Sequence, residues 1–324
     1  MAKILITGAS GFVGRALCPH LAKAGYEVSA CVRQHAALEA EWTAQGRVSL
    51  CETGEVNPHT DWREWLTDVE AIVHLAARVH VMRDDTGNRL QHYREANTQT
   101  TLNLARQAAE SGVRRFVFVS TVKVLGEGKD EPYRESDIPG PVDDYALSKW
   151  EAEQGLHAIS AETGMEVVIL RPPLVYGPGV KANFLRLMQW VERGWPLPLG
   201  AVKNRRSLIY LGNFISAITV CLEHPAAAGK TFLVSDGEDV STPDLICLIA
   251  NEIGHTARLL PVPLGLIQTL ARMAGKQKEV ERLLGSLSVD GRLIKQTCNW
   301  LPPFSLQEGI RNTVQAYLAS LPKQ

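Results

Sequence analysis

The sequence predicts an α/β fold, a Rossmann-type doubly wound parallel sheet with a smaller C-terminal substrate domain. Three observations predict it. Short, nearly continuously apolar runs alternate with longer helical ones through the first half of the chain. The first run, Lys3–Thr7, passes straight into a glycine turn and an amphipathic stretch, Phe12–Ala24. The alternation stops after Arg171, where Pro172, Pro173, Pro178, Pro196 and Pro198 crowd together. Strands covered on both faces read as unbroken apolar runs, and regular strand–helix alternation builds a parallel sheet with helices on both sides.

The elements follow in order. Lys3–Thr7 is the first strand, and Gly8, Gly11 and Gly14 follow it. Gly8 suits a tight turn, Gly11 leaves no side chain between backbone and a pyrophosphate, and Gly14 lets the helix sit close. Phe12 and Val13 open that helix, where free N–H groups face an anion. Further strands are expected at Glu27–Val32, Arg47–Cys51, Ala71–Leu75, Phe116–Ser120 and Val167–Arg171, with helices at Tyr93–Ser111 and Tyr145–Thr163. Beyond Arg171 helices are expected at Asn183–Arg193, Leu211–Glu223 and Ser305–Leu318, and a strand at Thr231–Ser235. The expected division is a nucleotide-binding domain over 1–175, with part of 207–235, and a substrate domain over 176–206 and 236–324. The most apolar stretch outside the sheet, Arg258–Gly275, reads as a buried or pocket-covering helix; its alternative is an interfacial anchor, disfavoured by Pro261, Pro263 and few cations.

The bulk properties exclude several classes. At 324 residues the chain can bury a large core, and a net charge of −1 gives no pull toward nucleic acid. The six scattered cysteines form no CxxC pair, which predicts free thiols and no metal site. The start leaves no room for a signal peptide and no apolar run approaches a membrane span, so a cytoplasmic protein is expected.

Two clusters carry chemistry. Tyr145-Ala-Leu-Ser-Lys149 puts a phenol and an ammonium four residues apart, on one helix face. A nearby cation favours phenolate and makes Tyr145 a proton donor for a carbonyl or alcohol. The fifth strand ends in Ser120-Thr121, and ligands of doubly wound folds lie beyond the carboxyl ends of the strands. Both hydroxyls are therefore expected at the active edge.

Together with His74-Leu75-Ala76-Ala77, Asn97, Arg171-Pro172-Pro173-Leu174-Val175-Tyr176-Gly177-Pro178 and Asn299-Trp300-Leu301-Pro302-Pro303, these motifs resemble the extended short-chain dehydrogenase/reductases. These are the nucleotide-sugar epimerases, dehydratases and reductases. The resemblance covers nearly the whole chain. It implies that Gly8, Gly11, Phe12, Val13 and Gly14 hold the cofactor pyrophosphate, and that Leu75, Ala76, Ala77, Asn97 and Ser120 line its ribose and nicotinamide side. It further implies that Lys149 holds the ribose and lowers the Tyr145 pKa, that Thr121 hydrogen-bonds the reacting oxygen, and that Pro172 and Val175 flank the nicotinamide. Asn183, Arg206 and Arg282 match positions that bind the donor's nucleotide diphosphate, with a solvated Arg205-Arg206 pair as the alternative.

Two departures refine the expectation. Val32-Arg33 stands where many members carry a ribose-binding carboxylate, which favours NADP(H) over NAD(H) with Arg33 on the 2′-phosphate. Thr121-Val122-Lys123-Val124-Leu125-Gly126 is similar to a subgroup reducing UDP-4-keto-6-deoxy-N-acetylhexosamines in bacterial surface-polysaccharide synthesis, with Lys123 near the sugar. The expected reaction is NADP(H)-dependent reduction of the C4 ketone of a UDP-linked 4-keto sugar. The alternatives are a UDP-hexose 4-epimerase with tightly bound NAD and a non-catalytic NADP-sensing regulator. A homodimer through a four-helix contact of Asn97–Ser111 and Tyr145–Thr163 is also implied.

Overall fold

The structure, a computed structural model, describes residues 2–34, 42, 46–79, 88–129, 131–273, 275, 280 and 283–321. The strands are β1 (Lys3–Thr7), β2 (Glu27–Val32), β3 (Val48–Glu52), β4 (Val69–His74), β5 (Arg115–Val119), β6 (Glu166–Arg171), β7 (Leu174–Tyr176), β8 (Arg206–Tyr210), β9 (Thr231–Leu233) and β10 (Asp239–Val240). Seven form one sheet in the order β3-β2-β1-β4-β5-β6-β9, and every pairing in it is parallel. The strand order reverses between β1 and β4, which opens a crevice at their carboxyl ends. The central strands are apolar on both faces because helices cover both. Ile4, Ile6, Val73 and Val117 face a core shared with the helices Phe12–Lys23 and Leu211–Glu223, while Leu5, Ile72, Phe116 and Phe118 face one shared with Thr100–Glu110 and Asp144–Thr163.

A second sheet, β10-β8-β7, rests on its own core of Phe184, Met188, Leu208, Ile246, Ile249 and Ile310. Neither β7 nor β8 reads as a strand in the sequence. Each is a short piece inside a stretch whose prolines or arginines suggest loop. Their place is fixed by a buried node. The Tyr176 hydroxyl donates to Asp236 at 2.8 Å, and the same carboxylate accepts the Tyr210 N–H at 2.8 Å and Asn213 Nδ2 at 2.7 Å.

Three expectations change. The helix expected at Tyr93–Ser111 runs Arg89–Tyr93, then a π-turn Arg94–Gln99, then Thr100–Glu110. A helix at Thr242–Ile253 went unread. Its signals are Ser241, whose hydroxyl accepts the Asp244 N–H at 3.1 Å, and left-handed Gly254. The segment Arg258–Gly275 does contain a helix, Leu264–Met273, but every described side chain in it is exposed or half-buried. No helix of the described residues is long and apolar enough to cross a membrane. All six cysteines are free thiols.

Candidate active site

The glycine turn is built by close approach. Gly8 has φ +70°, and a Cβ there would lie 2.7 Å from the Ala76 backbone nitrogen. A Cβ on Gly14 would lie 2.5 Å from the carbonyl oxygens of both Gly8 and Ala9. Gly14 therefore packs the helix against the turn itself rather than against the strand. Gly11 is exposed, donates its N–H to Gly8 at 2.9 Å, and ends the helix Phe12–Lys23 with no side-chain cap. A bare helix N-terminus over a glycine-rich turn is the cradle a dinucleotide pyrophosphate requires. Phe12 and Val13 are half-buried in its first turn.

The neighbouring loop, Leu75–Val79, is held from below by a relay of hydroxyls around His74. Thr101 donates to the Asn97 carbonyl at 2.6 Å, so its oxygen accepts from His74 Nε2 at 2.9 Å. That assigns the other ring nitrogen, Nδ1, as acceptor from the Thr7 hydroxyl at 2.7 Å. The Ala76 N–H reaches the same Thr7 oxygen at 3.4 Å. Burial, and secondarily the Lys149 charge, push His74 down to about 3, so the ring is neutral at physiological pH. Leu75 and Ala76 are half-buried and Ala77 is exposed, which leaves them open along the crevice. Asn97 differs from its expected cofactor role. Its side chain is fully buried, accepting the Arg78 N–H at 2.8 Å and donating to the Arg78 carbonyl and the Ser148 hydroxyl. It ties the loop to the helix Asp144–Thr163.

That helix starts where Asp143 Oδ1 accepts the Ala146 N–H at 2.8 Å. Tyr145 and Lys149 follow on one face. Lys149 is 1% exposed, with Nζ 3.9 Å from the centroid of the Phe118 ring. Burial lowers its pKa to about 7, against the upward pull of Glu153. Burial raises the Tyr145 phenol above its ordinary value, with Asp143 and Tyr93 adding to the rise. Where a depression by Lys149 was expected, burial sets the direction. Thr121 sits two residues past β5 in extended backbone, its oxygen accepting the Lys123 N–H at 3.3 Å.

Two further expectations change here. The Ser120 hydroxyl is not open to a ligand, because it donates to the buried carboxylate of Glu153. Glu153 also accepts from Arg171 Nε at 3.1 Å and Nη2 at 2.5 Å. Sequence reasoning missed Glu153 and gave Arg171 no role. The signal was present, since Glu153 lies one turn beyond Lys149 on the ridge that begins at Tyr145. Lys123 ion-pairs with Glu127 at 2.9 Å and Asp143 at 3.3 Å, so its ammonium braces the helix start instead of reaching freely for a sugar.

Pro172 is buried with its carbonyl accepting the Val122 N–H at 3.0 Å, and Val175 is half-buried on β7. Arg206, half-buried at the start of β8, donates to the Gly285 carbonyl at 3.0 Å, and burial lowers its pKa against the pull of Glu127. Arg205 is more exposed and pairs with Asp239 at 3.0 Å. Asn183 is exposed in the first turn of the helix Ala182–Glu192. Arg282 lies outside the described residues. Arg33 is exposed just past β2, and the β2–β3 register sets Glu52 directly beside Val32.

The family pattern described as "NAD dependent epimerase/dehydratase family" matches residues 4–235. The chain is 45% identical, over 97% of its length and 95% of the relative's, to a UDP-glucose 4-epimerase of Vibrio cholerae. It is 26% identical, over 96% of its length and 94% of the relative's, to an N-acetyl-alpha-D-glucosaminyl-diphospho-ditrans,octacis-undecaprenol 4-epimerase of Escherichia coli O157:H7. Its fold is similar to that of a UDP-glucuronic acid 4-epimerase from Bacillus cereus, solved in complex with NAD, with a TM-score of 0.78, 23% identity and coverage of 98% and 99% of the two chains. The sheet, the glycine cradle and the full-length similarity agree: the chain belongs to the NAD dependent epimerase/dehydratase family.

Proposed function

We propose that the protein is an NAD-dependent 4-epimerase of a UDP-linked hexose or N-acetylhexosamine. The observation that carries the reading is the 45% identity to a UDP-glucose 4-epimerase along nearly the whole of both chains. It favours the epimerase over the C4-ketone reductase that Thr121–Gly126 suggested. The same relationship favours NAD over NADP, and the local charge agrees. An exposed Arg33 has little hold on a 2′-phosphate in water.

The residues fit a dinucleotide, since the cradle at Gly8 and Gly14 has no room for side chains. When bound, the nicotinamide supplies a reversible hydride acceptor. In this reading Tyr145 takes the proton of the sugar C4 hydroxyl as that carbon is oxidised to a ketone, and returns it on re-reduction. Thr121 holds the same oxygen by a hydrogen bond. Lys149, a buried cation one turn along, offsets negative charge on the phenol. Asn183 and Arg206 receive the diphosphate, Arg206 with its planar fork. Inverting C4 requires hydride return to the other face of the sugar, so the ketone must turn over in the site while the diphosphate stays held. The dimer through Asn97–Ser111 and Tyr145–Thr163 is part of the same proposal.

The test is incubation of the purified protein with UDP-glucose and UDP-N-acetylglucosamine, with sugar analysis and no added NADPH. Appearance of the C4 epimer supports the reading; no epimer from either sugar removes it. A second reading, a polyprenyl-diphosphate-linked N-acetylhexosamine as substrate, is favoured by the exposed apolar helix Leu264–Met273 and by the Escherichia coli relative.

A further inference from the structure

Two thiols face each other at the edge of the large sheet. β2 and β3 pair in parallel with Cys31 opposite Cys51. Both cysteines lie on the sheet face that packs with Trp62 and Leu66. Paired strands run about 4.8 Å apart, inside the window of roughly 4.4–6.8 Å between Cα atoms that a disulfide spans. The two sulfurs are already within hydrogen-bonding reach of each other. β3 is the outermost strand of its sheet, so it can draw toward β2 without breaking a pairing on its other side.

The two cysteines are unequal. Cys31 is 4% exposed, whereas Cys51 is half-buried, so an oxidant reaches Cys51 first. Hydrogen bonds from Cys31 and the Ser29 hydroxyl, with the Lys3 charge, hold the Cys51 pKa below the ordinary thiol value against the effect of burial. A thiolate is the form that attacks an oxidant. Cys221 and Cys298, a second neighbouring pair, are both buried and both pushed up, which leaves them no thiolate to begin with. We propose that Cys31 and Cys51 are a peroxide-reactive dithiol that closes to a disulfide and pins β3 to β2. The Cys51 thiolate attacks the O–O bond of hydrogen peroxide, keeps one oxygen as a sulfenic acid and releases hydroxide, which becomes water on protonation. The Cys31 sulfur then attacks the Cys51 sulfur, and the sulfenic oxygen leaves as water with the Cys31 proton. Each sulfur is oxidised by one electron, and the peroxide is reduced to two waters. The bridge lies one residue before Val32 and Glu52, and the Cys31 carbonyl accepts the Ala9 N–H of the glycine turn at 3.3 Å, so it closes beside the cofactor cradle.

The thiol chemistry is independent of the sugar reaction, and its test needs no turnover. The reduced full chain is treated with hydrogen peroxide, then unfolded, alkylated and digested with trypsin without reductant. Cleavage after Lys23, Arg33, Arg47 and Arg63 puts Cys31 and Cys51 on separate peptides, each with a single cysteine. Wild type is expected to give these two peptides linked, lighter than their sum by two hydrogens and separated by dithiothreitol. Cys31→Ala should lose the link and leave a sulfenic acid on Cys51 that dimedone traps. Cys51→Ala should leave Cys31 a free thiol. A cooperative thermal melt checks that both variants fold, and the wild-type result stands without them. Wild-type peptides that stay unlinked overturn the proposal, whether Cys51 is unreacted or has passed on to sulfinic acid. So does a link found only in chains of doubled mass, because the bridge would then join two copies.

Discussion

Arg171 donates two hydrogen bonds to Glu153, at 3.1 and 2.5 Å, and both residues are buried. The pair joins the end of β6 to the helix carrying Tyr145 and Lys149, and Ser120 joins it to β5. Three site-bearing segments meet at one carboxylate. Removing either partner strands a buried charge, so Glu153→Leu or Arg171→Leu alone should cost about 3–5 kcal/mol of stability. The double replacement should recover most of that in a denaturant melt. A loss in the double variant equal to the sum of the two single losses would mean that the pair has no coupling of its own.

Glu153 also acts on chemistry through Lys149. It raises a Lys149 pKa that burial lowers to about 7. His74 also feels the Lys149 charge, and its ring is held neutral by burial. Glu153→Gln should therefore lower the Lys149 pKa further. If turnover needs the ammonium, the alkaline limb of the pH–rate profile moves to lower pH. An unmoved limb with reduced kcat would leave Glu153 a purely architectural role.

Tyr145→Phe should reduce kcat by roughly 10²–10⁴, the worth of a positioned acid–base group. The glycine cradle is untouched, so retained cofactor should match wild type. Near-normal turnover would remove Tyr145 from the chemistry.

His74 predicts a pH dependence of stability. The unfolded chain protonates it near 6.5, whereas the folded chain does so only near 3. Between those values the unfolded state binds more protons, so stability falls as pH falls through that window. His74→Gln removes the titration and should flatten the slope of melting temperature against pH between 6 and 4, measured by thermal scans. Parallel slopes would contradict a neutral, hydrogen-bonded His74.

How much of this was legible in sequence depends on how local each cause is. Six strands of the sheet were readable as short β-rich runs alternating with helices, whereas the place of β9 at the sheet's edge is set by its pairing with β6. The glycine cradle was readable because its three glycines fall within seven residues, Gly8 to Gly14, although the close approach of Ala76 to Gly8 comes from β4. Thr121, Tyr145 and Lys149 stood out by spacing. What stayed hidden depends on pairing across the fold. Glu52 meets Val32 only through the β2–β3 register. Ser120 and Asn97 looked like ligand contacts until Glu153, Arg78 and Ser148 claimed their hydrogen bonds. The Tyr145 pKa was misjudged because spacing shows a cation's presence, while burial appears only once the layers are packed.

Arg206→Ala should weaken UDP-sugar binding by about 1.5–3 kcal/mol, the scale of a hydrogen bond to a charged group. It also removes one of the two hydrogen bonds to the Gly285 carbonyl, the other coming from Asn204, so Arg206→Lys serves as a second variant that keeps charge but loses the fork. Unchanged KM and unchanged UDP inhibition in both would move the diphosphate elsewhere.

The central claim is epimerisation with a retained cofactor rather than net reduction. Its most direct measurement is the identity of the nucleotide released from the denatured pure protein, combined with sugar analysis in a reaction lacking added NADPH. The account predicts bound NAD⁺ and the same mixture of C4 epimers reached from either UDP-sugar, with no net change in nicotinamide absorbance. Purified protein without nucleotide, consuming NADPH stoichiometrically with a UDP-4-keto sugar and leaving UDP-hexoses unchanged, would contradict it.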